Sequence, residues 1–133
     1  MTRAEKLQRC APYRSLLEVD IAQDLEERDV PFEYEDTVLT YEEPAHIRRY
    51  TPDFRLPNGI IIEAKGIWSA SDRKKMTLVM EQHPELDIRM LFERNQKLSK
   101  KSRTRYADWC KKRNIKYAIG RTVPQEWLDE EGS

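Results

Sequence analysis

Residues 50–65 constrain the fold of this 133-residue chain more than any other stretch. Tyr50 to Leu56 is followed by Pro57-Asn58-Gly59, then by the β-branched run Ile60-Ile61-Ile62, which leads into Glu63-Ala64-Lys65. Asn-Gly between two such runs is a strong hairpin marker, because both residues tolerate positive φ. The second run is hydrophobic enough for a buried strand. Side chains alternate along it, so Glu63 and Lys65 share one face while Ile62 and Ala64 take the other. The hairpin brings Asp53, on the partner strand, across from that polar pair, and Pro52 limits how the chain enters.

Two carboxylates and a lysine converging in this way offer what phosphodiester hydrolysis needs. A hard divalent cation bound by oxygens neutralises charge on the phosphate and lowers the pKa of a bound water. Asp53 and Glu63 are the candidate ligands of a Mg²⁺ ion, with the Ala64 carbonyl and substrate oxygens completing its shell. Lys65 orients the attacking water or stabilises the transition state as a fixed positive charge. A lone Glu-x-Lys on a strand is usually an exposed ion pair. Here Pro52-Asp53 upstream, the intervening hairpin and a buried strand, where unpaired carboxylates are costly, favour the catalytic reading.

The remaining elements follow from periodicity. A first helix is expected from Ser15 to Asp29, with Leu17, Ile21 and Leu25 on one face, Ser15 as N-cap and Pro31 as the stop. Phe32 to Tyr41 reads as one or two strands. Glu42 to His46 reads as a connector, because Pro44 lacks the amide a central strand needs. A second helix capped by Ser71 runs to about Gln82 with Met76, Val79 and Met80 inward. Ile88 to Phe92 is a strand. Ser102 or Thr104 opens a third helix carrying Tyr106, Trp109 and Cys110, followed by a strand from Lys116 to Ile119 and a turn around Pro124 to Leu128. This order predicts an α/β fold, a mixed β-sheet flanked by helices, in a single domain spanning 1–133.

The 24 basic and 24 acidic side chains sum to zero charge, which alone argues against a nucleic-acid binder, but they are segregated. Residues 15–45 hold eleven acids and one base, residues 93–116 ten bases and two acids, and residues 46–75 seven bases and three acids. Such a pattern suits a protein that gathers carboxylates at one site and presents cations to a polyanion elsewhere. Arg14, Arg73, Lys74, Lys75, Lys100, Lys101, Arg103 and Arg105 are the nominated DNA contacts, since cations near helix starts meet phosphates without reading bases. Cys10 and Cys110 form no CxxC and no cluster, so neither a zinc site nor a disulfide framework is expected. No run approaches a membrane span and the N-terminus lacks the apolar core of a secretory signal, so a cytoplasmic protein is expected.

Asp53, the nine residues after it and Glu63-Ala64-Lys65 resemble the motif of the PD-(D/E)xK nuclease superfamily. Six further blocks resemble segments of the phage endonuclease I family of T7-like phages: Tyr13-Arg14-Ser15-Leu16-Leu17-Glu18, Phe32-Glu33-Tyr34-Glu35, Tyr50-Thr51-Pro52-Asp53-Phe54, Leu56-Pro57-Asn58-Gly59-Ile60, Asp72-Arg73-Lys74-Lys75 and Glu81 to Arg89. The resemblance covers Tyr13 to Leu128. It implies a restriction-endonuclease-like core and an enzyme that resolves four-way (Holliday) junctions and other branched DNA by paired nicks, using Mg²⁺ or Mn²⁺. It implies two further active-site acids, Glu18, also a metal ligand, and Glu33. Without it, Ser15-x-x-Glu18 reads as a capping box and Glu33 as an outward strand carboxylate. It also implies a domain-swapped homodimer with a connector near 43–47, in which Glu18 and Glu33 of one chain meet Asp53, Glu63 and Lys65 of the other. The acidic end Asp129-Glu130-Glu131 departs from the basic tail associated with this family. A superfamily nuclease without junction preference and a non-catalytic branched-DNA-binding module are the alternatives.

Overall fold

The computed structural model describes residues 12–43 and 46–132; Cys10 and the Pro44-Ala45 centre of the expected connector lie outside them. Strand β5 (Ile61–Lys65) is the middle of the molecule, because its apolar residues have core on both faces. Ile62 and Ala64 pack towards helix α1 (Leu16–Glu27), and Ile61 packs towards helices α2 (Ala70–Gln82) and α3 (Tyr106–Lys112). A strand covered on both sides needs no alternation of polar residues, which is why this run is continuous in sequence.

Around β5 the sheet runs β1 (Glu33–Tyr34), β4 (Phe54–Arg55), β5, β6 (Ile88–Phe92) and β7 (Tyr117–Ile119). The first three are antiparallel, while β5, β6 and β7 are parallel, with α2 and α3 as the crossovers. This is the expected mixed sheet flanked by helices. A two-stranded sheet of β2 (Leu39–Glu43) and β3 (His46–Tyr50) stands beside it, with Glu43 opposite His46. The segment read as a connector is therefore strand up to Glu43 and again from His46, the two paired with each other. Helix α4 (Gln125–Asp129) places Trp127 on the α1 side of the sheet.

The hairpin forms with its turn at 57–59, where only Gly59 takes positive φ, at 90°. Asn58 uses its side chain instead: Oδ1 accepts from the Ile60 amide, and Nδ2 donates to the Trp127 and Glu130 carbonyls. Asn58 thereby ties the turn to the C-terminal helix. Asp53 precedes β4 rather than lying within it, a consequence of the short two-residue strand.

Ser15 caps α1 as expected, accepting from the Glu18 amide at 3.1 Å. The helix closes before Pro31: Asp29 is left-handed (φ 54°), and the Val30 and Asp29 amides bond back to the Leu25 and Glu26 carbonyls. That is a Schellman closure, in which the left-handed residue ends the helix. The segment read as a turn around Pro124 to Leu128 is helix α4, and two helix starts also differ from expectation. Ser69, not Ser71, caps α2, because Asp72 three residues on completes a capping box with it. Arg105 rather than Ser102 or Thr104 opens α3, since the Asp108 carboxylate accepts from the Arg105 amide. Within α2, Met76 and Val79 are buried while Met80 is only half-buried.

Candidate active site

A polar cavity of about 410 Å³ opens where the N-terminal end of α1, the end of β1, the approach to β4 and the C-terminal end of β5 meet. Glu18, Asp53, Glu63, Ala64 and Lys65 all line it. Asp53 is fixed first, because the Ala64 amide donates to its Oδ2 at 2.9 Å. Glu63 is 6% exposed, and its Oε1 is buried without a hydrogen-bond partner among the described residues. Lys65, at the rim, has its Nζ 3.8 Å from Asp72 at the start of α2.

Glu18 is not the return arm of a capping box. Its Oε1 accepts from the Arg14 amide at 2.8 Å and from the Tyr34 phenol at 2.7 Å. The helix cap sets the backbone, and these two donors turn the carboxylate into the cavity.

Glu33 does not reach the cavity. It is exposed, 3.4 Å from the Thr37 hydroxyl, and Glu35 stands at the cavity instead. The reason is local: Glu35 adopts φ 49°, which ends β1 after two residues and breaks the alternation that would keep Glu33 and Glu35 on one face. Its amide bonds to the Asp53 carbonyl at 3.2 Å, holding it at the site. Oxygens of Glu18, Glu35 and Asp53 lie within 4.8 Å of one another. All of these residues come together within one chain.

The electrostatics follow from burial. The Asp53 carboxyl is pushed up to about 9, first by burial and then by the Glu63 charge, with the Ala64 amide opposing. Burial also raises Glu63, against the pull of Asp53, Lys65 and Lys75. Two buried carboxylates this close favour a shared proton unless a cation compensates them. The Tyr34 phenol is raised by burial and by Glu18, so it stays a donor. The donor set is all oxygen, with one carboxylate oxygen unsatisfied and three more carboxylates able to converge, and it fits a hard divalent ion of the Mg²⁺ or Mn²⁺ kind. A larger cleft of about 480 Å³ between α2 and the start of β7 is lined by Met80, Leu86, Ile88 and Ile115 and has no such cluster among the described residues.

The nominated cations divide. Arg14 lines the cavity, its Nε 3.1 Å from Glu35, and Lys75 lines it with Nζ 5.1 Å above the Tyr50 ring. Lys74 is exposed on α2, whereas Arg73 turns in to donate to the Trp68 carbonyl at 2.7 Å. Lys100, Lys101 and Arg103 are exposed on the segment between β6 and α3, and Arg105 donates to the Asn95 carbonyl at 2.8 Å. Among the acids in residues 15–45 that do not face the cavity, Asp24 is paired with Arg28 at 2.8 Å, and Asp20 with Arg121, which also holds Glu93. Glu35, Tyr34 and Tyr50 went unread as site residues. The pattern Glu33-Tyr34-Glu35 flags the region, but the backbone reversal that selects Glu35 is not written in residue type.

The profile of the family Phage endonuclease I matches residues 1–133. Endonuclease I of Escherichia phage T7 is 45% identical over 128 residues, 96% of this chain and 85% of the relative. Endodeoxyribonuclease 1 of Enterobacteria phage T3 is 49% identical over 107 residues, 80% of this chain and 70% of the relative. With a full-length family match and close relatives joined to this cluster of carboxylates, the chain belongs to the phage endonuclease I family.

Proposed function

We propose that this chain is a divalent-metal-dependent DNA endonuclease that resolves four-way junctions and other branched DNA by paired phosphodiester hydrolysis. The observation that carries the reading is the convergence of Glu18, Glu35 and Asp53 in one cavity with Glu63 and Lys65. The names of both relatives support an endonuclease, and that of the T3 relative supports DNA as the substrate.

Glu18, Glu35, Asp53 and Glu63, with the Ala64 carbonyl, are the groups that would hold Mg²⁺ or Mn²⁺. When bound, the ion neutralises phosphate charge and lowers the pKa of a water. The chain supplies the rest. The Ala64 amide and the Tyr34 phenol fix Asp53 and Glu18 in place, so little reorganisation is needed at the moment of reaction. Lys65 places a compact positive charge beside the phosphoryl oxygens, held at the rim by Asp72. Arg14 and Lys75 meet flanking phosphates at the mouth, while Lys74, Lys100, Lys101, Arg103 and Arg105 extend the contact. Arg73 braces the start of α2. Phosphate contact without base readout suits selection of DNA shape over sequence.

Two cuts in one junction call for two sites, which a two-fold homodimer provides. Exchange at the 43–47 connector would give each site Glu18 and Glu35 from one protomer and Asp53, Glu63 and Lys65 from its partner. The setting proposed is the host cytoplasm; no helix among the described residues is long and apolar enough to cross a membrane.

The test is a synthetic four-way junction beside a linear duplex of the same sequence, each incubated with the protein and Mg²⁺. Paired nicks in the junction alone, abolished by chelation, are expected. Equal cutting of both would reject junction selectivity, and tight binding without cleavage in either metal would leave the binding module. A stable monomer by sedimentation at micromolar concentration would reject the shared site.

A further inference from the structure

Tyr50 ends β3 and is 1% exposed, yet its phenol oxygen has no hydrogen-bond partner among the described residues. It lines the same cavity as Glu63, whose Oε1 is also buried and unpartnered. A buried polar group left unsatisfied costs about 1–3 kcal/mol, and native proteins keep few of them. The two face each other closely enough that the Glu63 carboxyl raises the phenol and the phenol lowers the carboxyl, yet neither atom makes a hydrogen bond of normal geometry among the described residues. A donor beside an acceptor in this way is complementary to a ligand that accepts from one and donates to the other. A water molecule does both.

Packing accounts for the ring but not for its hydroxyl. The ring belongs to the apolar cluster of Ile61, Trp68 and Met76, where phenylalanine would serve as well. Lys75 Nζ sits 5.1 Å from the ring centre and lines the cavity with Lys65. A cation over an aromatic face holds both partners, so the ammonium is placed and the ring is kept from turning. Mg²⁺ and Mn²⁺ retain waters when they bind proteins, and groups that bond to those waters orient the ligand shell.

We propose that Tyr50 is a positioning residue of the nuclease centre, its O–H donating to a water held at Glu63 Oε1, with Lys75 seated on its ring as the second fixed cation of the site. This rests on the metal-dependent reading given under Proposed function. It adds to that reading a residue outside the acid and lysine motif.

The test uses the full chain as wild type, Tyr50→Phe, Lys75→Met and the double variant. Mn²⁺ binding is followed by electron paramagnetic resonance without DNA, junction cleavage by single-turnover kinetics, and folding by thermal melting. Tyr50→Phe is expected to melt like wild type and bind the junction like wild type, but to bind Mn²⁺ and cleave about tenfold less well. Lys75→Met is expected to reproduce part of the loss in cleavage without weakening Mn²⁺ binding, since it removes a like charge from the site, and the double variant to lose less cleavage than the product of the two. Wild-type Mn²⁺ binding and cleavage in Tyr50→Phe overturn the proposal, as does a loss confined to thermal stability. Independent effects of the two substitutions remove Lys75 from it. A wild-type chain that neither binds Mn²⁺ nor cuts overturns the metal-dependent reading, and this inference with it. An active wild type matched by Tyr50→Phe overturns this inference alone.

Discussion

The Tyr34 phenol donates to Glu18 Oε1 at 2.7 Å, joining the first strand to the first helix at the acidic cavity. The Arg14 amide donates to the same oxygen at 2.8 Å, so two donors aim the carboxylate that capping alone would leave free. Tyr34→Phe removes one donor and keeps the ring against Tyr13 and Phe54. Cleavage is expected to fall about tenfold, which corresponds to about 1.4 kcal/mol. Single-turnover junction cleavage beside a thermal melt checks it; an unchanged rate would mean that the Arg14 amide suffices.

The Asp53 carboxyl gives the metal-free chain a pH signature. Burial and the Glu63 charge raise it to about 9 in the folded state, so the folded chain keeps a proton that the unfolded chain loses near pH 4. Stability from this group is full below the unfolded value, declines as pH rises across the window, and is gone above about 9. With chelator present, the melting temperature should therefore drop between pH 5 and 9, and Asp53→Asn should flatten that slope while abolishing cleavage. Parallel slopes in the two proteins would show that Asp53 is ionised throughout. Added Mn²⁺ should release protons and reverse the trend, because ligands bind as carboxylates.

Lys65 is a second separable case. Its contacts are the cavity and a 3.8 Å ion pair with Asp72, half-exposed on both sides, so the pair contributes little to folding. Lys65→Met should keep the melting temperature and junction affinity and lower the cleavage rate by about 10²–10³, the usual cost of losing one preorganised charge at a transition state. A band-shift measurement showing binding lost in step with cleavage would assign Lys65 to the DNA contact instead.

How far the sequence carried these conclusions depends on the range of the interaction. The Ile60-Ile61-Ile62 run, the Asn58-Gly59 turn and the helical period of Leu17, Ile21 and Leu25 are local, and each gave its element. Asp53 and Glu63 came together because one hairpin joins them. Ser69 is no better a cap than Ser71 by residue type, and Arg105 is a poorer one than Ser102 or Thr104; the choice falls to Asp72 and Asp108 three residues inside each helix. Glu35 was missed because its placement depends on a positive φ that no residue in Glu33-Tyr34-Glu35 announces. Tyr50 reads as core from its neighbours; only the unpaired hydroxyl reveals more.

Arg89 supplies the last prediction and gives the acidic C-terminus a role. Its guanidinium, 1% exposed, donates to both Asp87 oxygens at 2.9 and 2.7 Å and to Glu130 Oε1 at 2.8 Å, and lies 5.3 Å from the Trp127 ring centre. Glu130 is thus latched to β6 by an arginine. Arg89→Met keeps the stem and removes the charge; because Asp87 and Glu130 can return to solvent, the loss should be about 2 kcal/mol, below the 3–5 kcal/mol of a fully enclosed pair. Bonding to Arg89 holds both carboxyls below their ordinary range, so the stability they contribute is present at neutral pH and lost as pH falls through their depressed values. Urea midpoints at pH 7 and pH 3 should therefore converge in Arg89→Met relative to wild type. Equal acid sensitivity in both proteins would mean that the latch does not hold in solution, while cleavage by the variant at low temperature should persist because Arg89 does not line the cavity of Glu18, Asp53 and Glu63.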